Sequence, residues 1–187
     1  MKSQRGLQLI ELILVVAILG IVALVVVPRL AATDPAGLDL AAQELADALR
    51  FARAEAIRTG QPQGVLVDHD GSQAAYLDIA VYRVDTAASP FGIAALLYHP
   101  VDKQPYNRQI VAGSQSRGIR FANAVAPFSF FAVGGPQQHI HFDAYGAPIL
   151  MQNGTPHRLL SGAVLLSLGQ DLRTVSVQPI TGRVIVQ

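Results

Sequence analysis

Apolar residues fill the first part of the chain almost without interruption. Leu7 to Val27 is a run of twenty-one residues in which Glu11 carries the only charge. As a helix this run would be about 31 Å long at ~1.5 Å per residue, which matches a hydrocarbon core of roughly 30 Å. The pattern predicts a membrane-spanning helix over residues 7–27 with an acid near its start.

A second apolar pattern follows residues 33–35, where a proline predicts a short break or a helix restart. Apolar residues then recur at steps of three and four, and polar residues fill the other faces. The members of this stripe are Leu38, Ala42, Leu45, Leu49, Ala52 and Ala56. Gly60 provides a C-terminal stop. The spacing predicts helix up to residue 59, and a rod of about 80 Å if residues 7–59 are continuous.

From residue 64 onward, short β-rich runs alternate with turn residues, which predicts strands and no second long helix. The predicted strands are Gly64–Asp68, Ala75–Val84, Ala94–Tyr98, Ile119–Phe121, Phe128–Val133, His139–Phe142, Ala163–Leu168, Thr174–Gln178 and Arg183–Val186. The predicted turns are Asp70-Gly71, Gly134-Gly135, Tyr145-Gly146 and Thr181-Gly182. Residues 64–187 are therefore expected to form an α+β head, in which antiparallel sheet wraps the second half of the rod.

Three interpretations compete for the N-terminus. A cleaved secretory signal needs a small-residue cleavage site, but Pro28 and Arg29 occupy that place. A plain anchor explains the length and keeps Lys2 and Arg5 in the cytoplasm. It does not explain Glu11, because an acid in the apolar layer costs roughly 2.5–3.5 kcal/mol on insertion scales.

The third interpretation explains Glu11. Arg5-Gly6-Leu7-Gln8-Leu9-Ile10-Glu11 resembles the class III signal of type IV pilins and type II secretion pseudopilins, although Leu7 and Gln8 stand where phenylalanine and threonine are commonest. The resemblance implies that a prepilin peptidase cuts between Gly6 and Leu7, methylates the Leu7 amine and leaves residues 1–6 as a cytoplasmic leader. Glu11 would then pair with the Leu7 amine of a neighbouring subunit. Pro28 falls where many pilins kink their helix.

Two further stretches resemble one subgroup, the GspH/FimT family of minor pseudopilins and minor pilins. Ala52 through Gly60 matches its Ala-Arg-x-Glu-Ala-Ile-x-x-Gly stretch, within which Arg53 and Glu55 are interpreted as packing residues. Ile140 through Gly146 resembles its late strand and turn. The implied fold is a type IV pilin-like lollipop, with a long N-terminal helix packed on an antiparallel sheet. Residues 85–135 match nothing in the family and are expected to be its variable region.

The resemblance also implies function, partners and location. We expect a minor pseudopilin of the type II secretion pseudopilus, acting in protein secretion as a filament component near the tip. The alternative is a minor pilin of a type IV pilus, including the MSHA type, with DNA binding for uptake. Expected partners are other pseudopilins or pilins, the prepilin peptidase and an inner-membrane assembly platform. The chain would cross the bacterial inner membrane once, with its head in the periplasm.

Composition limits the other classes. Net charge is +1, from fourteen basic and thirteen acidic residues, so charge predicts no polyanion partner, and without cysteine there is no thiolate chemistry. DNA-binding relatives carry Gly-Arg-x-Arg, of which Gly182-Arg183-Val184-Ile185 keeps one arginine. One phosphate contact gives little affinity, so Arg183 is a weak candidate nucleic-acid contact. Whether it gathers with the other head arginines is left open by the sequence; these are Arg117, Arg120, Arg158 and Arg173.

Candidate catalytic and metal sites are weak. His139, His141 and Asp143 are spaced by two, so on one strand they would share a face that could offer metal ligands. A histidine pair on a strand is more simply sheet surface, so we expect no metal and no other cofactor. The serines Ser161, Ser167 and Ser176 lack a Gly-x-Ser-x-Gly elbow, and no helix pattern follows Gly134-Gly135 to make a phosphate loop. The sequence indicates a structural subunit, not an enzyme.

Overall fold

The computed structural model describes residues 11–21, 35–68, 78–110, 118–122 and 127–187. It divides into two compact units, Met1–Asp34 and Pro35–Gln187. The described part of the first unit is helix α1, residues 11–21. Within the described ranges, no helix combines the length and the apolar character that crossing a membrane requires. The predicted span over residues 7–27 lies partly outside these ranges and stays a prediction, as does continuity of the rod.

The described part of the second unit is one helix packed on a large sheet. Helix α2 spans Pro35–Thr59. The strands are β1 (Gln63–Val67), β2 (Ile79–Asp85), β3 (Gly92–Leu96), β4 (Asn107–Arg108), β5 (Arg120–Phe121), β6 (Phe128–Phe130), β7 (His139–Phe142), β8 (Pro148–Gln152), β9 (Thr155–Leu168), β10 (Asp171–Val177) and β11 (Val184–Val186). Their order is β11-β10-β9-β8-β7-β1-β2-β3, with β4 beside β2 and with β5 and β6 beside β9. Every pairing among them is antiparallel, which confirms the predicted α+β class.

Helix α2 forms as its sequence predicts. It begins at Pro35, where the missing N–H is harmless in the first turn. Gly60 ends it with a φ of 66°, and the Gly60 N–H donates to the carbonyl of Ala56 at 2.9 Å. All six residues of the predicted apolar stripe are buried with no exposed surface. The face that the stripe forms is the one that packs on the sheet.

The central sheet is buried on both faces. Along β1 all five residues are buried, so alternate side chains enter two different cores. The face toward α2, here called the inner face, includes Val65, Ile140 and Phe142 within the main core. The opposite face, here called the outer face, carries a smaller cluster around Leu66 and Tyr82. These two cores set the environment of every candidate residue on β1, β2 and β7.

The observed strands agree with most of the predicted ones and add a hairpin. Strand β8 was not predicted, and the predicted strand Ala163–Leu168 is only the second half of β9. The connection is Asn153-Gly154, with φ of 52° and 73° at its two residues. Such turns favour Asn-Gly because both positions need a positive φ. The predicted Asp70-Gly71 turn lies outside the described residues. Strands β3 to β6 fall within residues 85–135, the region expected to be variable in the family.

Candidate functional site

The predicted processing and assembly residues fall at the edge of the described chain. Gly6, Leu7 and Pro28 lie outside the described residues, so their roles stay predictions. Glu11 is the first described residue of α1, and every residue of this helix is exposed. Its large apolar side chains are Leu12, Ile13, Leu14, Val15, Val16, Ile18, Leu19 and Ile21. A helix that is apolar on all sides needs an apolar environment around it, either lipid or other helices.

The stretches that resemble the GspH/FimT family meet at one place in the head. Arg53 of α2 donates from Nε to the carbonyl of Gly146 at 3.1 Å. A Cβ on Gly182 would stand 2.3 Å from that same carbonyl oxygen, and the φ of Gly182 is 63°, so only glycine fits there. The helix, the turn after β7 and the turn before β11 are thus fixed to one another. This supports the interpretation of Arg53 as a packing residue.

The head arginines within the described ranges do not form one basic patch. Arg173 pairs with Asp39 of α2. Arg120 aligns with Ser167 of β9, while Arg173 aligns with Leu166, the next residue. Since successive residues of a strand face opposite sides, these two arginines point to opposite faces of the sheet. Arg183 is exposed on the turn that precedes β11, and Arg117 lies outside the described residues.

The three candidate metal ligands are not gathered into one site. Asp143 follows the end of β7, and its Oδ1 accepts from the N–H groups of Tyr145 at 2.9 Å and Ala147 at 2.8 Å. It is therefore part of the turn. Within the described part of the chain, no group of three His, Cys, Asp or Glu side chains is placed to hold a metal ion.

His139 and His141 are not sheet surface, which corrects the sequence interpretation. His141 is fully buried and His139 is largely buried, both on the outer face. The hydroxyl of Tyr82 lies between them, 2.8 Å from Nδ1 of His139 and 2.9 Å from Nε2 of His141. Phe91 closes over both imidazoles edge-on, with ring centroids 4.9 Å and 4.7 Å away. We call Tyr82, His139 and His141 the outer-face triad.

A glycine makes the outer-face triad possible. Tyr82 on β2 and His141 on β7 both align with Gly64 of the intervening strand β1. A Cβ on Gly64 would lie 2.4 Å from Cζ of the Tyr82 ring, closer than any real contact. Tyr82 can therefore reach across β1 to the histidines only because Gly64 has no side chain. This role of Gly64 could not be predicted from the sequence alone, which does not show which strands are neighbours.

Hydrogen bonds set the protonation of the outer-face triad. The Met151 N–H donates to Nδ1 of His141 at 2.9 Å, so the single proton of neutral His141 is on Nε2 and points to Tyr82. Tyr82 is then placed to donate to Nδ1 of His139. Burial lowers the pKa of His139 to about 4, and burial with the nearby His139 charge lowers the pKa of His141 to about 3. Both imidazoles are therefore neutral at pH 7, and the hydrogen bonds among the three side chains join strands β2 and β7.

Comparisons with known proteins identify the family of this chain. The family model for the type II transport protein GspH matches residues 41–181. No curated protein sequence matches the chain. Among solved structures, the chain is similar to the type IV minor pilin FimU of Pseudomonas aeruginosa strain PAO1, at 19% identity and a TM-score of 0.43, over 80% of this chain and 87% of that one. Because the family model covers three quarters of its length, this chain is a member of the GspH family of pilin-like proteins.

Proposed function

We propose that the chain is a minor pseudopilin, a structural subunit of the type II secretion pseudopilus. The observation that carries this is the match to the type II transport protein GspH over residues 41–181. The head supports it, because the motif residues Arg53, Gly146 and Gly182 fix the fold and do not surround reacting groups. On this proposal the chain acts by occupying a position in a filament and catalyses nothing.

The N-terminal segment supplies the assembly contact in this proposal. The peptidase cuts after Gly6, the methylated Leu7 amine becomes a cation, and Glu11 of an adjacent subunit pairs with it. The apolar side chains that surround α1 on all sides support such burial, since they have to be covered by lipid or by neighbouring helices. A carboxylate in that environment is tolerable mainly when it is paired.

The assembly proposal is tested by crosslinking in membranes. Glu11→Leu should still be inserted and cut, because it makes the segment more apolar, while its crosslinking to neighbouring subunits should fall about tenfold or more since the partner amine is left unpaired. Gly6→Leu is the control, because it should block cutting and never produce the Leu7 amine. Equal crosslinking of wild type and Glu11→Leu, with both fully cut, would remove Glu11 from the assembly mechanism.

The type of filament needs a separate measurement. A minor pilin of a type IV pilus, including the MSHA type, remains the alternative function, and DNA uptake would belong to it. Deleting the gene should abolish secretion of folded exoproteins and leave surface pili and transformation unchanged. Loss of pili or of transformation with normal secretion would assign the chain to the pilus instead.

A further inference from the structure

Strand β3 forms one edge of the sheet. Among the described strands it pairs with β2 alone, and its other side has no strand beside it. The Leu97 N–H, directly after β3, donates to the Val81 carbonyl of β2 at 2.8 Å. Successive residues of an antiparallel strand turn their backbone groups toward and away from a given neighbour alternately. The N–H and C=O of Leu96 therefore point to the open side.

The open side of β3 has little that would keep another strand away. Sheet edges are usually protected by charged residues, by proline or by a β-bulge. The sequence of β3, GIAAL, contains no charge and no proline. The irregularity in its pairing with β2 begins after Arg83, so Ala95 and Leu96 keep a regular alignment. This half of the edge is therefore suited to pair with an added strand.

A groove of about 450 Å³, here called the edge groove, lies beside this half of β3. Helix α2 lines it with Phe51 and Glu55. Strand β2 adds Arg83, and the segment after β3 adds Tyr98 and Lys103. Tyr98 is 65% exposed, so its ring offers apolar surface to a ligand. An open backbone edge and an exposed aromatic ring thus lie side by side.

The acid in the edge groove already has a partner. Arg58, one turn along α2, donates from Nε to Oε2 of Glu55 at 2.8 Å and from Nη2 to Oε1. These hydrogen bonds hold the pKa of the Glu55 carboxyl below its usual range. Glu55 is therefore ionised at pH 7, and it carries no net charge together with Arg58.

Two cations of the edge groove have no partner among the described residues. Arg83 and Lys103 are exposed, and within these residues neither side chain makes an ion pair or a hydrogen bond. Asp102 is next to Lys103 in the chain, but its carboxylate is bound by Arg108. The edge groove therefore keeps the two positive charges of Arg83 and Lys103, and a ligand that complements it carries carboxylates.

We propose that the edge groove binds an extended acidic segment of another protein, which adds to β3 as a further strand. The backbone of the segment pairs with β3 at Leu96. Its carboxylates bind Arg83 and Lys103, and an apolar side chain packs on Tyr98. A peptide fits better than a nucleic acid, because a nucleic acid has no backbone N–H to pair with a strand. This binding site goes beyond the proposed structural role and does not depend on which filament the chain joins.

Fluorescence anisotropy of a labelled peptide tests the charges, with the full chain in detergent. In the extended peptide Glu-Thr-Phe-Thr-Glu, both glutamates and the phenylalanine share one face. We expect saturable binding that weakens about tenfold or more when both glutamates are replaced by glutamine. Arg83→Gln combined with Lys103→Gln should bind the two peptides equally. Arg120→Gln, at an exposed arginine outside the edge groove, should keep the preference for glutamate.

The aromatic contact has a matched control. Tyr98→Ser should weaken peptide binding about tenfold, the effect of losing a large aromatic contact. Tyr145→Ser should leave binding unchanged, because Tyr145 is 89% exposed but does not line the edge groove. Equal binding by wild type and Tyr98→Ser would place the peptide somewhere else on the chain and overturn the proposal.

Backbone methylation of the peptide tests the strand pairing. In an added strand, alternate N–H groups face β3 and the others face solvent. N-methylation of the phenylalanine removes one set in the peptide centre, and N-methylation of both threonines removes the other. One methylated peptide should keep its affinity, and the other should bind about tenfold more weakly. Equal affinities of the two would show that the peptide does not extend the sheet.

Other outcomes contradict the proposal directly. Absence of saturable binding up to millimolar peptide, or equal binding of the glutamate and glutamine peptides by wild type, would remove the acidic segment as the ligand. Dimerisation of the free chain that Arg83→Gln with Lys103→Gln abolishes would make the occupant a second copy. A single-stranded oligonucleotide that binds more tightly than the peptide, and loses binding in the same variant, would make it a nucleic acid.

Discussion

The inner and outer faces of the central sheet are both buried at β1, yet they are built differently. The inner face meets α2 mainly through aliphatic side chains such as Val65 and Leu45. The outer face buries two imidazoles joined by the Tyr82 hydroxyl, under Phe91. The inner face is therefore stabilised by burial that does not depend on pH, whereas the outer face is stable only while its histidines are neutral.

The largest expected effect is on the inner face. Leu45 has no exposed surface and lies in the middle of the α2 stripe. Leu45→Ala should lower the free energy of unfolding of the head by about 2–5 kcal/mol, because it removes buried methyl groups and leaves a cavity. Urea unfolding followed by circular dichroism measures this.

The control is on the same helix. Leu40 is 64% exposed, so Leu40→Ala should change the free energy of unfolding by no more than about 0.5 kcal/mol. If Leu40→Ala destabilised the head as much as Leu45→Ala, the stripe would not be the packing face of α2.

The inner face is also the part that the sequence predicts. The steps of three and four between Leu38 and Ala56 give both the helix and its buried side, because a helix with one apolar stripe has one way to bury it. The end of helix α2 at Gly60 can also be predicted from the sequence, since glycine suits the left-handed position after a helix. These features are local, so no knowledge of distant partners is needed.

The outer face could not be predicted in the same way. His139 and His141 have the spacing of a surface pair, and their burial depends on a loop that brings Phe91 over them from elsewhere in the chain. In the sequence, nothing distinguishes Gly64 from a glycine in a turn. Its role arises because β1 lies between β2 and β7, so that Gly64 has Tyr82 on one side and His141 on the other. By contrast, Asn153-Gly154 is a local signal for the β8–β9 hairpin, although the predicted strands do not include β8.

The second prediction concerns pH and the outer face. Burial lowers the pKa of His139 to about 4 and of His141 to about 3, below the ordinary 6.5 of the unfolded chain. Between these pH values the unfolded chain binds more protons than the folded chain does. The contribution of the outer face to the free energy of unfolding is therefore fully present above pH 6.5 and falls as the pH drops toward 4. At pH 5 the loss should be about 2 kcal/mol for each histidine.

Urea unfolding between pH 7.5 and 4.5 checks this, over a range set by those pKa values. His139→Gln should reduce the dependence on pH by about half, because one of the two titrations is removed. His157→Gln, at a half-exposed histidine of β9 outside the outer-face triad, is the matched control and should keep the slope. Stability that stays constant from pH 7 to pH 5 would show that the histidines are not held neutral by burial.

The smallest expected effect comes from the glycine that makes the outer face possible. Gly64→Ala places a Cβ 2.4 Å from Cζ of Tyr82, so the ring must shift and its hydroxyl moves away from the histidines. We expect a loss of about 1–3 kcal/mol, the usual range for overpacking, partly offset because alanine has less backbone freedom to lose than glycine. Gly134→Ala is the control, since a Cβ there meets nothing within 4 Å.

Gly64→Ala should also weaken the dependence of stability on pH, because water can reach the imidazoles once the Tyr82 ring has shifted. A variant as stable as wild type with the pH dependence intact would show that Tyr82 has room to move, and that the outer face is not held by Gly64.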